Sequence, residues 1–307
     1  MVKLYKNFNI KKNHKNSLIL IGNFDGVHLG HQKLFKLAQL YKKKYNLKIG
    51  VVNFDPMPKM FFNKLLKNFR ITSINQKIAL LSKLNVDFII TKKFDKKFSK
   101  TKSINFIKEI LYKKLNSKFI FVSNNFRFGN KREGNVNLLI KNEKKFNFTV
   151  VKPQPLIKQQ KIISSTLIRS FLEKGYLEKA NKLLDRNWTV DGVVQKGRQI
   201  GKKIGFPTCN IDIQDYVLAK PGVYAVKVSR SNNSKYLRGI ANLGYRPTFN
   251  QKKILLEVHL FNYSGNLYNK LLSVEFLKFI REEKKFKNVN QLKSQIKKDL
   301  NIAKKTK

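Results

Sequence analysis

A four-residue apolar run, Leu18 to Ile21, passes directly into Gly22-Asn23-Phe24-Asp25-Gly26-Val27-His28-Leu29-Gly30-His31-Gln32-Lys33-Leu34-Phe35. The run reads as a buried strand. The residues beyond it place Leu34, Leu37, Ala38 and Tyr41 on one face of a helix predicted over Gln32–Tyr45. A buried strand feeding a helix is one unit of a parallel α/β sheet, because parallel neighbours need a crossover between them. In such folds the strand-to-helix handover is where nucleotides bind, since the first helical N–H groups are free and the helix dipole attracts phosphate. His28 and His31 stand at that handover, and imidazoles there can stabilise charge that develops when ATP is cleaved.

The same alternation continues through the first half. Strands are predicted at Leu18–Ile21, Ile49–Phe54, Asp87–Thr91, Phe119–Val122 and Thr149–Val151, with helices at Gln32–Tyr45, Gln76–Leu84, Ile104–Leu115 and Val136–Lys144. This predicts a doubly wound, Rossmann-like parallel sheet. Ser164–Lys174 reads as a helix with hydroxyls at its start and Gly175 at its end. Near Leu184–Trp188 the texture changes. Thr189–Val194, Val223–Ser229, Leu237–Asn242, Ile254–Phe261 and Leu271–Phe279 are β-type runs separated by Gly, Asn, Ser and Pro. Too few helices lie between them for parallel crossovers, so an antiparallel barrel or sandwich is expected. A last helix is predicted over Val289–Leu300. The domains are expected to be 1–185 and 186–307.

A chain of 307 residues has room for two cores, and 42% apolar residues argue against disorder. The single cysteine, Cys209, rules out an internal disulfide and suits a reducing compartment. No stretch approaches a membrane span, so a cytoplasmic protein with no membrane partner is expected. The net charge of +47 invites a nucleic-acid reading. However, the lysines are spread along the chain, and no RRM, zinc-finger or KH signature is present. No dedicated nucleic-acid partner is expected, although anionic substrates gain from the field.

Four segments of the first half carry candidate chemistry. They are His28-Leu29-Gly30-His31, Phe54-Asp55-Pro56-Met57-Pro58, Asn125-Phe126-Arg127-Phe128-Gly129, and Ile163-Ser164-Ser165-Thr166 with Arg169. Each follows a strand or opens a helix. Hydroxyls at a helix start with an arginine one turn on suit a phosphate clamp. Phe126 and Phe128 suit the flanks of a ring. In the second half, Gly197-Arg198-Gln199-Ile200-Gly201-Lys202-Lys203-Ile204-Gly205-Phe206-Pro207-Thr208-Cys209-Asn210 can curl around phosphates, without the spacing of a P-loop. A second glycine-punctuated loop runs from Gly239 to Phe249. Along Leu256-Glu257-Val258-His259-Leu260, alternation places Glu257 and His259 on one face, where a carboxylate can deprotonate a hydroxyl. His259 reads as structural or surface.

Taken together these segments resemble the bacterial bifunctional riboflavin kinase/FMN adenylyltransferase (FAD synthetase) family from about Leu18 to Asp299. The resemblance implies a nucleotidyltransferase domain followed by a small β-barrel riboflavin kinase. It implies that riboflavin and ATP give FMN, and that FMN and ATP then give FAD and pyrophosphate. On the adenylyltransferase side His28 and His31 would contact the ATP phosphates. Gly22, Asn23, Phe24, Gly30 and Asn125 would bind the nucleotide, and Ser164, Ser165, Thr166 and Arg169 the leaving pyrophosphate. On the kinase side Gly197, Gly201, Lys202, Gly205, Thr208 and Asn210 would bind ATP, with Thr208 on Mg²⁺. Glu257 would be the catalytic base, and Arg281, Glu283 and Phe286, from the Arg-x-Glu-x-x-Phe pattern, would face the flavin. Two departures stand out. Met57 replaces a frequent His, and Ser123-Asn124-Asn125 replaces a common Gly-x-Asp, which removes a negative charge. They leave open a kinase with a weak or lost adenylyltransferase step.

Overall fold

The computed structural model describes residues 2–197, 200–213, 215–230, 235–247 and 252–306. Arg198 and Gln199 of the first glycine-rich segment, and Thr248 and Phe249 of the second, therefore lie outside the described residues. The chain forms two compact units. One comprises Met1–Leu66 and Ile74–Ser164, the other Lys67–Ser73 and Ser165–Lys307.

The first unit is built on six strands: β1 (Lys3–Tyr5), β2 (Leu18–Ile21), β3 (Ile49–Asp55), β4 (Phe88–Lys93), β5 (Phe119–Phe121) and β6 (Thr149–Val151). Their order is β1-β4-β3-β2-β5-β6, and every neighbouring pair is parallel. Successive side chains go to opposite faces, as the strand period demands. Ile19 and Ile21 pack with Val52, Ile90 and Leu111 on one face, while Leu18 and Leu20 pack with Phe35, Ala38 and Val51 on the other. Helices cover both faces, which is why these strands read as continuous apolar runs. The order turns at β2: the chain leaves β2 for β3 on one side, and β5 lies on its other side. The carboxyl ends of β2 and β5 thus flank a topological switch point, the place where open α/β sheets bind ligands.

The second unit is a closed barrel of six strands: β7 (Thr189–Gln195), β8 (Cys209–Ile211), β9 (Gly222–Arg230), β10 (Tyr236–Pro247), β11 (Lys252–Leu260) and β12 (Leu271–Arg281). The order is β7-β8-β11-β10-β9-β12 with antiparallel pairing throughout. The C-terminal helix, Val289–Lys305, lays Ile296, Leu300 and Ala303 against Val223, Ala225 and Ile240 of the barrel.

The compact units do not divide where the sequence texture changes. The helices Ser165–Glu173 and Leu177–Leu184, expected with the first half, belong to the barrel unit. The cause is Asn181. Its side chain donates to the Phe276 carbonyl at 3.1 Å and accepts from the Trp188 amide at 2.8 Å, tying the second of these helices to the barrel. Lys67–Ser73 joins the same unit through Trp188, whose indole N–H donates to the Ile71 carbonyl at 3.0 Å, and through the Arg70 amide, which donates to the Asp215 carbonyl.

Candidate active sites

In the first unit, the helix after β2 spans Leu29–Tyr45, three residues earlier than the apolar pattern predicts, with His28 as its N-cap. The loop leading to it is wound tightly. Phe24, Gly26 and Val27 all have positive φ, at 47°, 83° and 40°. A β-branched residue in that region costs about 1–3 kcal/mol, and such strain collects at functional sites. The winding buries His28 and sets its ring against His31, with centroids 3.7 Å apart and planes 21° apart. Phe24 is also buried. Its ring lies edge-on to both His31 and Phe35 at 5.3 Å, so it backs the histidine pair at His31. His31 is held well below the ordinary imidazole pKa, first by burial and then by the neighbouring His28 and Lys77. The His31 ring is consequently poised to donate a hydrogen bond as a neutral imidazole. Lys77, wholly buried on the helix Ile74–Ser82, was not singled out by sequence reasoning.

Gly30 carries no side chain where the Ile163 carbonyl closes on the helix start; a Cβ there would sit 3.1 Å from that oxygen. Ser164, the next residue, ends the first unit. Asn23 is exposed in the loop after β2, and Gly22 lies against the Phe24 ring. Asn125 is exposed beyond the end of β5, with its side-chain oxygen accepting from the Ser123 hydroxyl at 2.9 Å. Met57 is buried rather than facing solvent. Beyond Asn125, Phe126 and Phe128 stack at 5.5 Å and line a cavity of 620 Å³. Phe54, Phe62, Phe94, Phe98 and Phe106 add to its apolar walls, and Lys59, Arg127, Lys131 and Arg132 give it a basic rim. The aromatic residues come from separate segments, so Phe54, Phe126 and Phe128 stood in candidate segments whereas Phe62, Phe94, Phe98 and Phe106 did not.

In the second unit, the helix bearing Ser165, Thr166 and Arg169 starts at Ser165. The Arg169 guanidinium lies 3.7 Å over the Phe69 ring, and its Nε donates to the Phe69 carbonyl at 2.7 Å.

The barrel gathers most of the remaining candidates. Glu257 on β11 stands directly across from Asn210 on β8 and from Asn242 on β10. The alternation expected for this strand holds, with Leu256, Val258 and Leu260 buried on the other face. Glu257, Asn210 and Thr208 line a cavity of 340 Å³ together with Arg281, Glu283 and Phe286. Gly201 lines it too, whereas Lys202 and Gly205 are exposed outside it. Gly197 lies against Asn210 so closely that a Cβ would collide with the side-chain amide. The Asn210 Oδ1 is buried and has no hydrogen-bond partner among the described residues. A second cavity of 240 Å³, walled by Leu260, Tyr263 and Tyr268, shares Thr208 with the first. The hydroxyl of Thr208 and the unsatisfied oxygen of Asn210 are hard oxygen donors of the kind Mg²⁺ takes. Among the described residues no group of three or more His, Cys, Asp or Glu side chains could hold a metal.

Sequence reasoning gave no binding or catalytic role to three residues of this cavity. Asn242 donates to Glu283 Oε1 at 3.2 Å. His259, through Nδ1, donates to the Pro207 carbonyl at 2.8 Å and so holds the glycine-rich segment to β11. Asp299, on the C-terminal helix, is 1% exposed and pairs with Arg281. Its one sequence signal is an acid set in the apolar stripe of Leu292, Ile296 and Ala303.

The chain matches the family model described as FAD synthetase over residues 10–167 and that described as riboflavin kinase over residues 184–307. A curated relative from Buchnera aphidicola subsp. Schizaphis graminum, a bifunctional riboflavin kinase/FMN adenylyltransferase, is 45% identical over 97% of this chain and 96% of its own. The protein of the same description from Escherichia coli K12 is 37% identical over 92% and 90%. Among solved structures, one described as a macrolide-efflux protein from Streptococcus pneumoniae superposes with a TM-score of 0.86 at 27% identity, covering 100% of this chain and 99% of that one. No described helix of the present chain is long and apolar enough to cross a membrane.

Proposed function

The chain belongs to the bifunctional riboflavin kinase/FMN adenylyltransferase family, and on that premise we propose how its two reactions are distributed among its residues. The protein phosphorylates riboflavin with ATP and adenylylates FMN with a second ATP. The relatives support this two-step activity and not a kinase alone. We assign adenylylation to residues 1–185 and the kinase step to 186–307.

The observation that carries the kinase assignment is the row Asn210–Glu257–Asn242 across three barrel strands. Glu257 takes the proton of the ribityl 5′-hydroxyl as that oxygen attacks the γ-phosphorus, and ADP leaves with the broken P–O bond. Thr208 belongs to both cavities, which supports a nucleotide in one approaching a flavin in the other at this residue. Thr208 and Asn210 would hold Mg²⁺, which supplies charge neutralisation on the transferring phosphoryl group. Gly197 and Gly201 give the phosphate loop its close approach to Asn210 and Thr208.

For adenylylation, the FMN phosphate attacks the α-phosphorus directly and pyrophosphate departs, so no covalent enzyme intermediate is needed. His28 and His31 donate hydrogen bonds to the ATP phosphates from the switch point, where helix N–H groups also converge. The aromatic cavity takes the flavin ring between Phe126, Phe128 and their neighbours, with its basic rim facing the FMN phosphate. Ser164, Ser165, Thr166 and Arg169 are assigned to pyrophosphate on the family resemblance alone.

One coupled assay tests the whole reading. Purified protein is incubated with riboflavin and magnesium ATP, and the flavins are resolved by chromatography. FMN appearing first and FAD afterwards is expected; no phosphorylated flavin from folded protein would overturn it.

A further inference from the structure

We propose that Asp299 is a positioning residue for the flavin of the kinase step, acting through Arg281; the proposal rests on the kinase reading above. Arg281 ends β12 at the point where the chain turns into the segment that carries Glu283 and Phe286. Its guanidinium is already engaged. Nε donates to both Asp299 oxygens at 3.0 Å, one terminal nitrogen donates to Oδ2 at 2.7 Å, and the other donates to the Glu282 carbonyl at 2.8 Å. Arg281 is therefore committed to the protein, and its face lies 5.9 Å from the Phe286 ring. Asp299 is nearly inaccessible, and Gln295 one turn earlier donates to its Oδ1 at 2.9 Å. A two-point, charge-assisted pair of this kind fixes direction as well as distance.

The following residues of the segment are pinned in turn. Lys220 pairs with Glu282 at 2.5 Å, and Asn242 donates to Glu283 at 3.2 Å. Gly244 leaves room for Glu283, whose carboxylate would collide with any Cβ there. Residues 281, 282 and 283 are thus tied to the C-terminal helix, to Lys220 and to β10, and Phe286 is delivered to the cavity wall. The Arg281–Asp299 bond is the first and most buried of these ties. It also joins the helix face bearing Leu292 and Ile296, itself a wall of the cavity, to the end of β12.

A residue acting this way alters flavin binding without altering the nucleotide side. Asp299→Asn is expected to raise KM for riboflavin by about tenfold or more, since a misplaced binding wall costs that order. KM for ATP should stay within about twofold. FMN adenylylation should be unchanged. Because removing one partner of a buried pair can unfold a domain, a second variant is needed. Arg281→Met/Asp299→Leu removes both charges, a replacement that is often neutral or stabilising. It should fold and still bind riboflavin weakly by flavin fluorescence. In a double-mutant cycle, Asp299→Ala on top of Arg281→Ala should cost no further affinity. Wild-type riboflavin affinity in the Met/Leu variant, or independent, multiplying losses in the cycle, would overturn the proposal. Failure of the wild-type protein to make FMN would instead overturn the kinase reading itself.

Discussion

The imidazoles of His28 and His31 lie face to face at 3.7 Å, and His31 is held below its ordinary pKa of 6.5 by burial, by His28 and by Lys77. A histidine buried neutral is protonated more readily in the unfolded chain. Above 6.5 neither state carries the proton; as pH falls below 6.5 the unfolded state binds it first, so stability falls. The thermal midpoint should therefore drop as pH is lowered through 6.5, and His31→Gln should lessen that slope. The remainder belongs partly to His14, which burial and Lys48 likewise hold low. Calorimetry of both proteins from pH 8 to pH 5 reads this out; identical slopes would contradict it.

Separate chemistry at the two sites predicts separable losses. Glu257→Gln keeps the shape of the side chain but cannot accept the hydroxyl proton, so FMN formation should fall about 10²–10⁴-fold. FAD formation from supplied FMN should persist. His31→Ala should do the reverse, lowering adenylylation about 10²–10³-fold while riboflavin phosphorylation continues. Each variant is assayed with riboflavin and with FMN. Loss of both activities in a folded variant would rule out independent centres.

The sequence was most legible where burial is uniform. β2 begins and ends where its apolar run does, because a strand covered on both faces leaves no polar break to misread. β8, only the three residues Cys209–Ile211, has no run to detect and shows itself only by pairing with β7 and β11. The start of the His28 helix was misplaced because Gly30 and His31 carry weak helical signal, while the N-terminal turn is set by the left-handed loop before it. Glu257 was readable from alternation, whereas its partner Asn242 is known only from register. Asp299 interrupts an apolar stripe, and the arginine that justifies its burial lies eighteen residues away. Charged groups buried as pairs, and cavities lined from several segments, are non-local features that a linear reading does not reach.

The stack of Phe126 on Phe128 at 5.5 Å offers a test of the flavin pocket in the first unit. Phe126 is the better target, since it is half-buried and Phe128 is core. Losing one aromatic wall costs about 1–3 kcal/mol of ring stacking. Phe126→Ala should therefore raise KM for FMN in adenylylation about tenfold. The kinase step should be untouched. Steady-state kinetics with FMN varied at saturating ATP decides it; an unchanged KM would move the flavin elsewhere.

Gly197 and Asn210 test the phosphate loop of the barrel. A Cβ at 197 would collide with the Asn210 amide, so Gly197→Ala must displace either the loop or the side chain that carries the unsatisfied oxygen. Riboflavin phosphorylation should lose about tenfold or more in kcat/KM for magnesium ATP, because the phosphate contacts depend on that geometry. Adenylylation should keep its rate. Asn210→Ala removes both the obstacle and the oxygen, so adding Gly197→Ala to it should cost little more. If the two changes instead multiply, the glycine is needed for something other than room beside Asn210, and the link drawn between this loop and the bound nucleotide fails.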